Sequence, residues 1–158
     1  MDYKSLYFWL ATWFGCGLMK PAPGTWGSLG ALPFGLIIFG FSGLTGFVIA
    51  IVCIAIIGVP IASRFDAAQD THDSKMIVID EVAGQWISLL PVFSFWGWNP
   101  LMVFVSFALF RFFDILKPWP VSYFDQKVSG GLGVMMDDVV AGLYVLIILS
   151  GVYIAGSR

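Results

Sequence analysis

An all-α, polytopic transmembrane helical bundle is the fold class this sequence predicts, and three observations predict it. Hydrophobic residues make up 59% of the 158 and charged residues only 11%, with a mean hydropathy of +0.89. A soluble domain carries about 25% charged residues, so this chain has too little polar surface to cover a globule in water. Apolar runs recur along it at lengths near the roughly 20 residues a spanning helix needs. The charges, finally, collect between alternate runs rather than between all of them.

Taken in order, residues 6–18 are rich in Trp and Phe but fall short of a span, and predict an N-terminal interfacial or re-entrant helix. No small-residue cleavage site follows the first residues, so no cleavable signal peptide is expected. Residues 28–41 and 44–62 are the first two spans, separated by Ser42-Gly43. Residues 82–96 and 100–113 are shorter spans flanking Gly97-Trp98-Asn99, and residues 139–155 are the fifth. Cys16 and Cys53 share no metal or redox spacing and read as packing residues. The length allows one domain, residues 1–158, with no separate soluble module.

Lys4, Lys20, Arg64, Lys75, Arg111, Lys117 and Lys127 fall on one side of this five-span topology, and the turns on the other side are uncharged. The positive-inside rule makes the basic side cytoplasmic, with the N-terminus inside and the C-terminus outside. Nearly all the acidic residues lie on that side too. A membrane protein with its charge at one face is expected to work there.

Two acidic pairs, Asp80-Glu81 and Asp137-Asp138, each lead a glycine-containing apolar run. Hard cations such as Mg²⁺ take oxygen ligands, with one or two carboxylates, waters and substrate phosphate as the usual set. Compensation of a helix N-terminus is the bland reading; two adjacent pairs favour metal binding. The pairs also sit in a short repeat, Asp80-Glu81-Val82-Ala83-Gly84 and Asp138-Val139-Val140-Ala141-Gly142. In each, a carboxylate precedes a glycine by one helical turn on the same face. Should the glycines face each other, as small residues do in lipid, Asp80 and Asp138 converge.

Arg111, Asp114 and Lys117 fall along one side of a helix that Pro118 ends. Arg111 and Lys117 are candidate phosphate clamps, with Asp114 either holding metal or orienting Arg111; an interfacial anchor of basic and aromatic residues is the alternative. The loop from Gly15 to Ser28 offers backbone amides, Lys20, and the Thr25 and Ser28 hydroxyls to an anion, or simply turns. Lys75 is placed to reach phosphate and Asp73 to cap or join the metal shell. His72, the single histidine, reads as solvated rather than as a proton donor. Familiar phosphatase chemistries are missing: no Cys-x5-Arg loop, no Asp-x-Asp pair, no second histidine. Water activated by a metal, or a lone carboxylate nucleophile, remains.

Four ordered motifs carry a family resemblance: Pro-Gly-Thr-x-Gly-Ser at 23–28, Asp-x-Lys-x-Ile-Val-Ile-Asp-Glu-x-x-Gly at 73–84, Arg-x-Phe-Asp-x-x-Lys-Pro-x-Pro at 111–120, and Asp137-Asp138-x-x-Ala-Gly, with Gly133 upstream. Together they resemble phosphatidylglycerophosphatase A, over nearly the whole chain. The resemblance implies a Mg²⁺-dependent enzyme of the bacterial inner membrane that converts phosphatidylglycerophosphate to phosphatidylglycerol. It carries Asp80, Glu81, Asp137 and Asp138 onto the family's acidic positions and Arg111, Asp114 and Lys117 onto its third motif. The expected metal shell is therefore Asp80, Glu81, Asp137 and Asp138. Asp80, Glu81, Asp114 and Asp138 are the catalytic candidates, and Thr25, Ser28, Lys75, Arg111 and Lys117 the phosphate ligands. The expected partners are the bilayer and its phospholipid, with no nucleic acid. The rivals are a CDP-lipid phosphatidyltransferase, whose long acidic pattern is missing here, and a small cation transporter, which calls for carboxylates near mid-span.

Overall fold

A computed structural model describes residues 5–69 and 74–158. His72, Asp73 and Lys4 lie outside the described residues. Among the described residues there are helices and turns and no strand: α1 (Leu6–Ala11), a 3₁₀ turn (Cys16–Leu18), α2 (Pro23–Gln69), α3 (Ile79–Pro91), a π turn (Val92–Trp96), α4 (Pro100–Leu116), α5 (Val121–Lys127) and α6 (Gly131–Gly156).

Gly43, at φ 65° and ψ −167°, breaks α2 into two arms. Contacts with α3 give their directions. Along the first arm, Gly27 meets Val78, Gly35 meets Trp86, and Phe39 stacks on Phe93, so it runs with α3. The second arm starts with Phe47 against Phe93 and ends near the start of α6, where Gly131 donates to Ser63 Oγ, so it runs back. Chain reversal needs the positive φ that glycine adopts without a Cβ penalty. A second reversal at Gly97 (φ 63°) leads into α4, where the Asn99 side chain caps the amide of Met102 at 3.2 Å and Pro100 takes the first turn. Trp98 lies against Gly40, so both reversals share one end of the bundle.

α4 runs antiparallel to α3: Ser106 Oγ donates to the Ser88 carbonyl (2.9 Å), while Phe110 and Arg111 reach Gly84 and Glu81. α6 runs parallel to α3. The five long segments thus alternate in direction around a core of Phe47, Val82, Trp86, Leu89, Phe110 and Val145. The Trp86 indole donates to the Ala31 carbonyl (2.9 Å), satisfying its polar edge inside that core.

The outside of the bundle is apolar. Phe41, Ile56, Phe104 and Ile147 are 91%, 67%, 65% and 64% exposed, far more apolar surface than a soluble monomer leaves open. Pro23–Ala68 and Gly131–Gly156 are long and apolar enough to cross a membrane; α3 and α4, with 13 and 17 residues, are shorter.

Three details differ from expectation. Residues 6–18 are not one helix: α1 has six residues, and the left-handed Trp13, Phe14 and Gly15 turn the chain into the 3₁₀ turn. At about 1.5 Å per residue such a helix is far too short to span. α6 starts at Gly131 rather than at Val139, because Gly131 and Gly133 let its first turn lie against backbone of α2 and of Val128. α5, a seven-residue helix between α4 and α6, lacked any apolar run to announce it.

Candidate active site

The polar groups gather at the bundle end opposite the Gly43 and Gly97 turns. Asp80 and Glu81 lie in the first turn of α3, and Asp80 Oδ1 accepts the Glu81 amide at 3.0 Å. Asp137 and Asp138 lie in α6, six residues beyond Gly131 and so about 9 Å inside the helix. The favourable field of a helix N-terminus fades within the first turn, so charge compensation does not account for this second pair.

Close packing of α3 on α6 joins the two pairs. Gly84 and Gly142 face each other, and each lies against backbone of the other helix. One turn before them, one ligand atom each of Asp80, Glu81 and Asp138 come within 4.8 Å of one another. Glu81 Oε2 and Asp138 Oδ1 are buried without a hydrogen-bond partner among the described residues. Buried carboxylate oxygens are costly unless paired or bound to metal. An all-oxygen set with two such orphans fits a hard divalent cation.

Asp137 does not join that group. Its Oδ1 accepts the Asp138 amide (2.9 Å) and its Oδ2 accepts Lys117 Nζ (2.7 Å). Lys117 also bonds Asp125 of α5. Burial pulls the Lys117 ammonium down, but its hydrogen bonds to Asp125 and Asp137 outweigh this and raise it above the ordinary lysine value. Expected as a phosphate ligand, Lys117 lines the cleft shared with the carboxylates and also ties the end of α4 to α5 and α6. Pro118 is why it sits there: α4 stops at Leu116 and Lys117 caps it in a left-handed conformation (φ 46°).

Arg111 occupies the other wall. Its Nη1 is 2.7 Å from Asp114 Oδ2 and 3.9 Å from Glu81 Oε1, and donates to Ser28 Oγ at 3.2 Å. Asp114 therefore orients Arg111. Ser28, fully buried, holds Arg111 from behind and donates in turn to the Gly24 carbonyl. Arg111 Nε has no partner among the described residues. Thr25, half-buried, is outside the lining of the cleft that these groups form. That cleft is about 570 Å³, a size suited to a small ligand or headgroup. Asp80, Glu81, Asp138, Arg111 and Lys75 line it, and so do Asp114, Lys117 and Asp137.

Three participants escaped the sequence reading. Asp125 belongs to a helix without an apolar signature. Asp66, near the end of α2, accepts the Ser74 amide at 3.0 Å and so holds the segment that carries Lys75. Gly24 touches both walls: a Cβ there would collide with Glu81 Oε1 and stand 3.2 Å from Arg111 Nη2. The Pro-Gly-Thr motif was the available signal, and it read as an anion-binding loop or a turn, not as a gap between two walls.

Residues 9–153 match the family described as Phosphatidylglycerophosphatase A. The chain is 43% identical over 141 residues to the phosphatidylglycerophosphatase A of Haemophilus influenzae, covering 89% of this chain and 84% of that one. It is 41% identical over 137 residues to the Escherichia coli K12 protein of the same name, covering 85% and 76%. It is also 36% identical over 153 residues to a Bacteroides thetaiotaomicron protein provisionally named a phosphatidylinositol-3-phosphatase, covering 89% of each. No solved structure matches the chain. With a family match across almost its entire length and relatives above 40% identity, the chain belongs to the phosphatidylglycerophosphatase A family.

Proposed function

We propose that this protein is a lipid phosphatase that hydrolyses phosphatidylglycerophosphate to phosphatidylglycerol and phosphate, with Mg²⁺, at the cytoplasmic face of the bacterial inner membrane. One observation carries the reading: three clustered carboxylates, two of them with an orphaned oxygen, share a cleft with Arg111 at one end of an apolar bundle. The names of its relatives supply the substrate.

Asp80, Glu81 and Asp138 would hold the cation. When bound, Mg²⁺ neutralises charge on the phosphoryl group and the departing glycerol oxygen. The residues around it orient and bind. Arg111, fixed by Asp114 and Ser28, presents a guanidinium to the phosphate, for which its planar fork is suited. Lys75 adds a second cation to the cleft lining. Lys117 neutralises Asp137, which keeps a fourth negative charge from opposing an anionic substrate.

For the topology, both arms of α2, α3 with its π turn, α4 and α6 would each cross the bilayer, with α1 and α5 at the interface. The alternating helix directions and the exposed apolar faces support this. A carrier with carboxylates near mid-span is disfavoured, because Asp80 and Glu81 lie at the very start of α3.

The test is phosphate release by purified protein from phosphatidylglycerophosphate in micelles, with Mg²⁺ or EDTA, alongside phosphatidylinositol 3-phosphate. Preferred turnover of phosphatidylglycerophosphate that stops in EDTA is expected. Turnover that persists in EDTA would remove the metal, and preference for the inositol lipid would replace the substrate. Dependence on a CDP-lipid would instead indicate a phosphatidyltransferase.

A further inference from the structure

Beside the catalytic cleft runs a second depression of about 480 Å³, lined by Leu18, Met19, Lys20, Pro21, Lys75 and Met76 among others. The two adjoin, because Pro23 and Lys75 line both. A molecule whose phosphate lies by Arg111 therefore has room to extend past Lys75 toward Lys20.

The walls are held firmly. The Gly17 amide donates to the Thr12 carbonyl (2.9 Å) and the Val78 amide to the Ala11 carbonyl (2.8 Å). Gly17 packs so closely on the Met76 carbonyl that no Cβ fits between them. The 3₁₀ turn and residues 75–76 thus form two fixed sides of a groove. Its surface is mostly apolar, with Leu18 and Met19 each 44% exposed. Against that apolar ground stand two ammonium groups. Arg111 and Lys117 are committed to carboxylates, whereas Lys20 and Lys75 form no ion pair with any described residue.

Resting on the function proposed above, we infer that this groove is a subsite for the internal phosphodiester and glycerol backbone of the lipid substrate, with Lys20 as its anchoring cation. Phosphatidylglycerophosphate carries two phosphates joined by one glycerol. The terminal monoester goes to the carboxylate cleft, and the diester falls in the adjoining groove. Lys75, at the junction, faces both. A diester spreads one negative charge over two non-bridging oxygens, and an ammonium on a flexible stem can reach either of them. The apolar wall takes the start of the acyl-glycerol, which leaves the groove toward the bilayer. The subsite makes the enzyme select headgroups with a second, internal phosphate over simple phosphomonoesters.

Steady-state kinetics in neutral detergent micelles test this with Lys20→Glu, Lys20→Gln and Lys20→Arg. For phosphatidylglycerophosphate, Lys20→Glu and Lys20→Gln should raise KM about tenfold, the value of one charge-assisted contact, with kcat within about twofold of the wild type. Lys20→Arg should restore KM. Inhibition by sn-glycero-3-phosphoglycerol, which has the diester alone, should weaken in parallel, and inhibition by inorganic phosphate should stay unchanged. Unaltered KM in both Lys20→Glu and Lys20→Gln overturns the subsite, as does equal loss of both inhibitions. A KM effect seen only in vesicles of anionic lipid assigns Lys20 to the membrane surface and overturns it too. A wild-type protein with no turnover of phosphatidylglycerophosphate would fail at the earlier step, the proposed function itself.

Discussion

A methyl group on Gly142 would stand 2.5 Å from the carbonyl oxygen of Gly84, and one on Gly84 would stand 2.5 Å from the carbonyl oxygen of Asp138. This mutual approach of α3 and α6 brings their carboxylates together. In lipid, helices gain little from hydrophobic burial against each other, so close backbone packing carries the association. Gly142→Ala should force the helices apart, at a cost of about 1–3 kcal/mol for overpacking. Activity should fall at least as far as stability. Thermal unfolding in detergent and phosphate release read the two effects, and a Gly142→Ala protein with wild-type values for both would refute the role of this contact.

The carboxylate cluster makes a prediction that does not depend on turnover. Mg²⁺ should raise the unfolding temperature of the wild type, because a ligand bound only by the folded state stabilises it. Asp138→Asn and Asp80→Asn should lose most of that shift, and about 100-fold or more in kcat, as expected for removing a charge-stabilising group. A full Mg²⁺ shift in both variants would mean that the cation binds elsewhere.

Gly24 should tolerate no side chain. Gly24→Ala pushes on the Glu81 carboxylate and the Arg111 guanidinium together, and a displacement of about 1 Å near the reacting groups costs on the order of 100-fold. Because Gly24 sits half-exposed at the start of α2, the fold should survive. Helicity by circular dichroism should match the wild type while phosphate release drops; undiminished release would show that the two walls have slack.

Lys117 should act through charge and not through a titration near neutrality. Its pKa is raised by Asp125 and Asp137. A raised cation contributes stability in full below the ordinary lysine value of 10.5 and loses it only as pH climbs through the higher folded value. Between pH 7 and about 9, this group should therefore add no slope to stability. Lys117→Met leaves Asp137 facing the cluster uncompensated, and should destabilise more than Asp125→Asn, which leaves one partner in place. Unfolding measured across that pH range for the three proteins checks both statements, and equal stability of Lys117→Met and wild type would contradict the ion-pair role.

Much of the outline was legible because it depends on composition and local chemistry. The apolar runs, the breaks at Gly43 and Gly97, and the stop before Pro118 are each written in a few adjacent residues. So was the repeat of a carboxylate one turn before a glycine, which foretold that Asp80 and Asp138 converge if the glycines meet. Less legible was which carboxylate does what. Asp137 and Asp138 are neighbours in sequence, but adjacent helical residues point about 100° apart. One therefore turns to Lys117 and the other into the cluster. Ser28 read as an anion ligand, whereas the return of α4 beside α2 makes it a support for Arg111.

By itself, the sequence determined that this chain is strongly apolar, that it is helical, and which four motifs relate it to its family. Those properties follow from side-chain transfer energies and backbone preferences, which act within a turn or a span. Tertiary structure alone decided the division of labour: Asp80, Glu81 and Asp138 in one cluster, Asp137 neutralised by Lys117, Gly24 as the gap between two walls. These depend on how α2, α3, α4 and α6 pack, and packing is set by contacts between residues far apart along the chain.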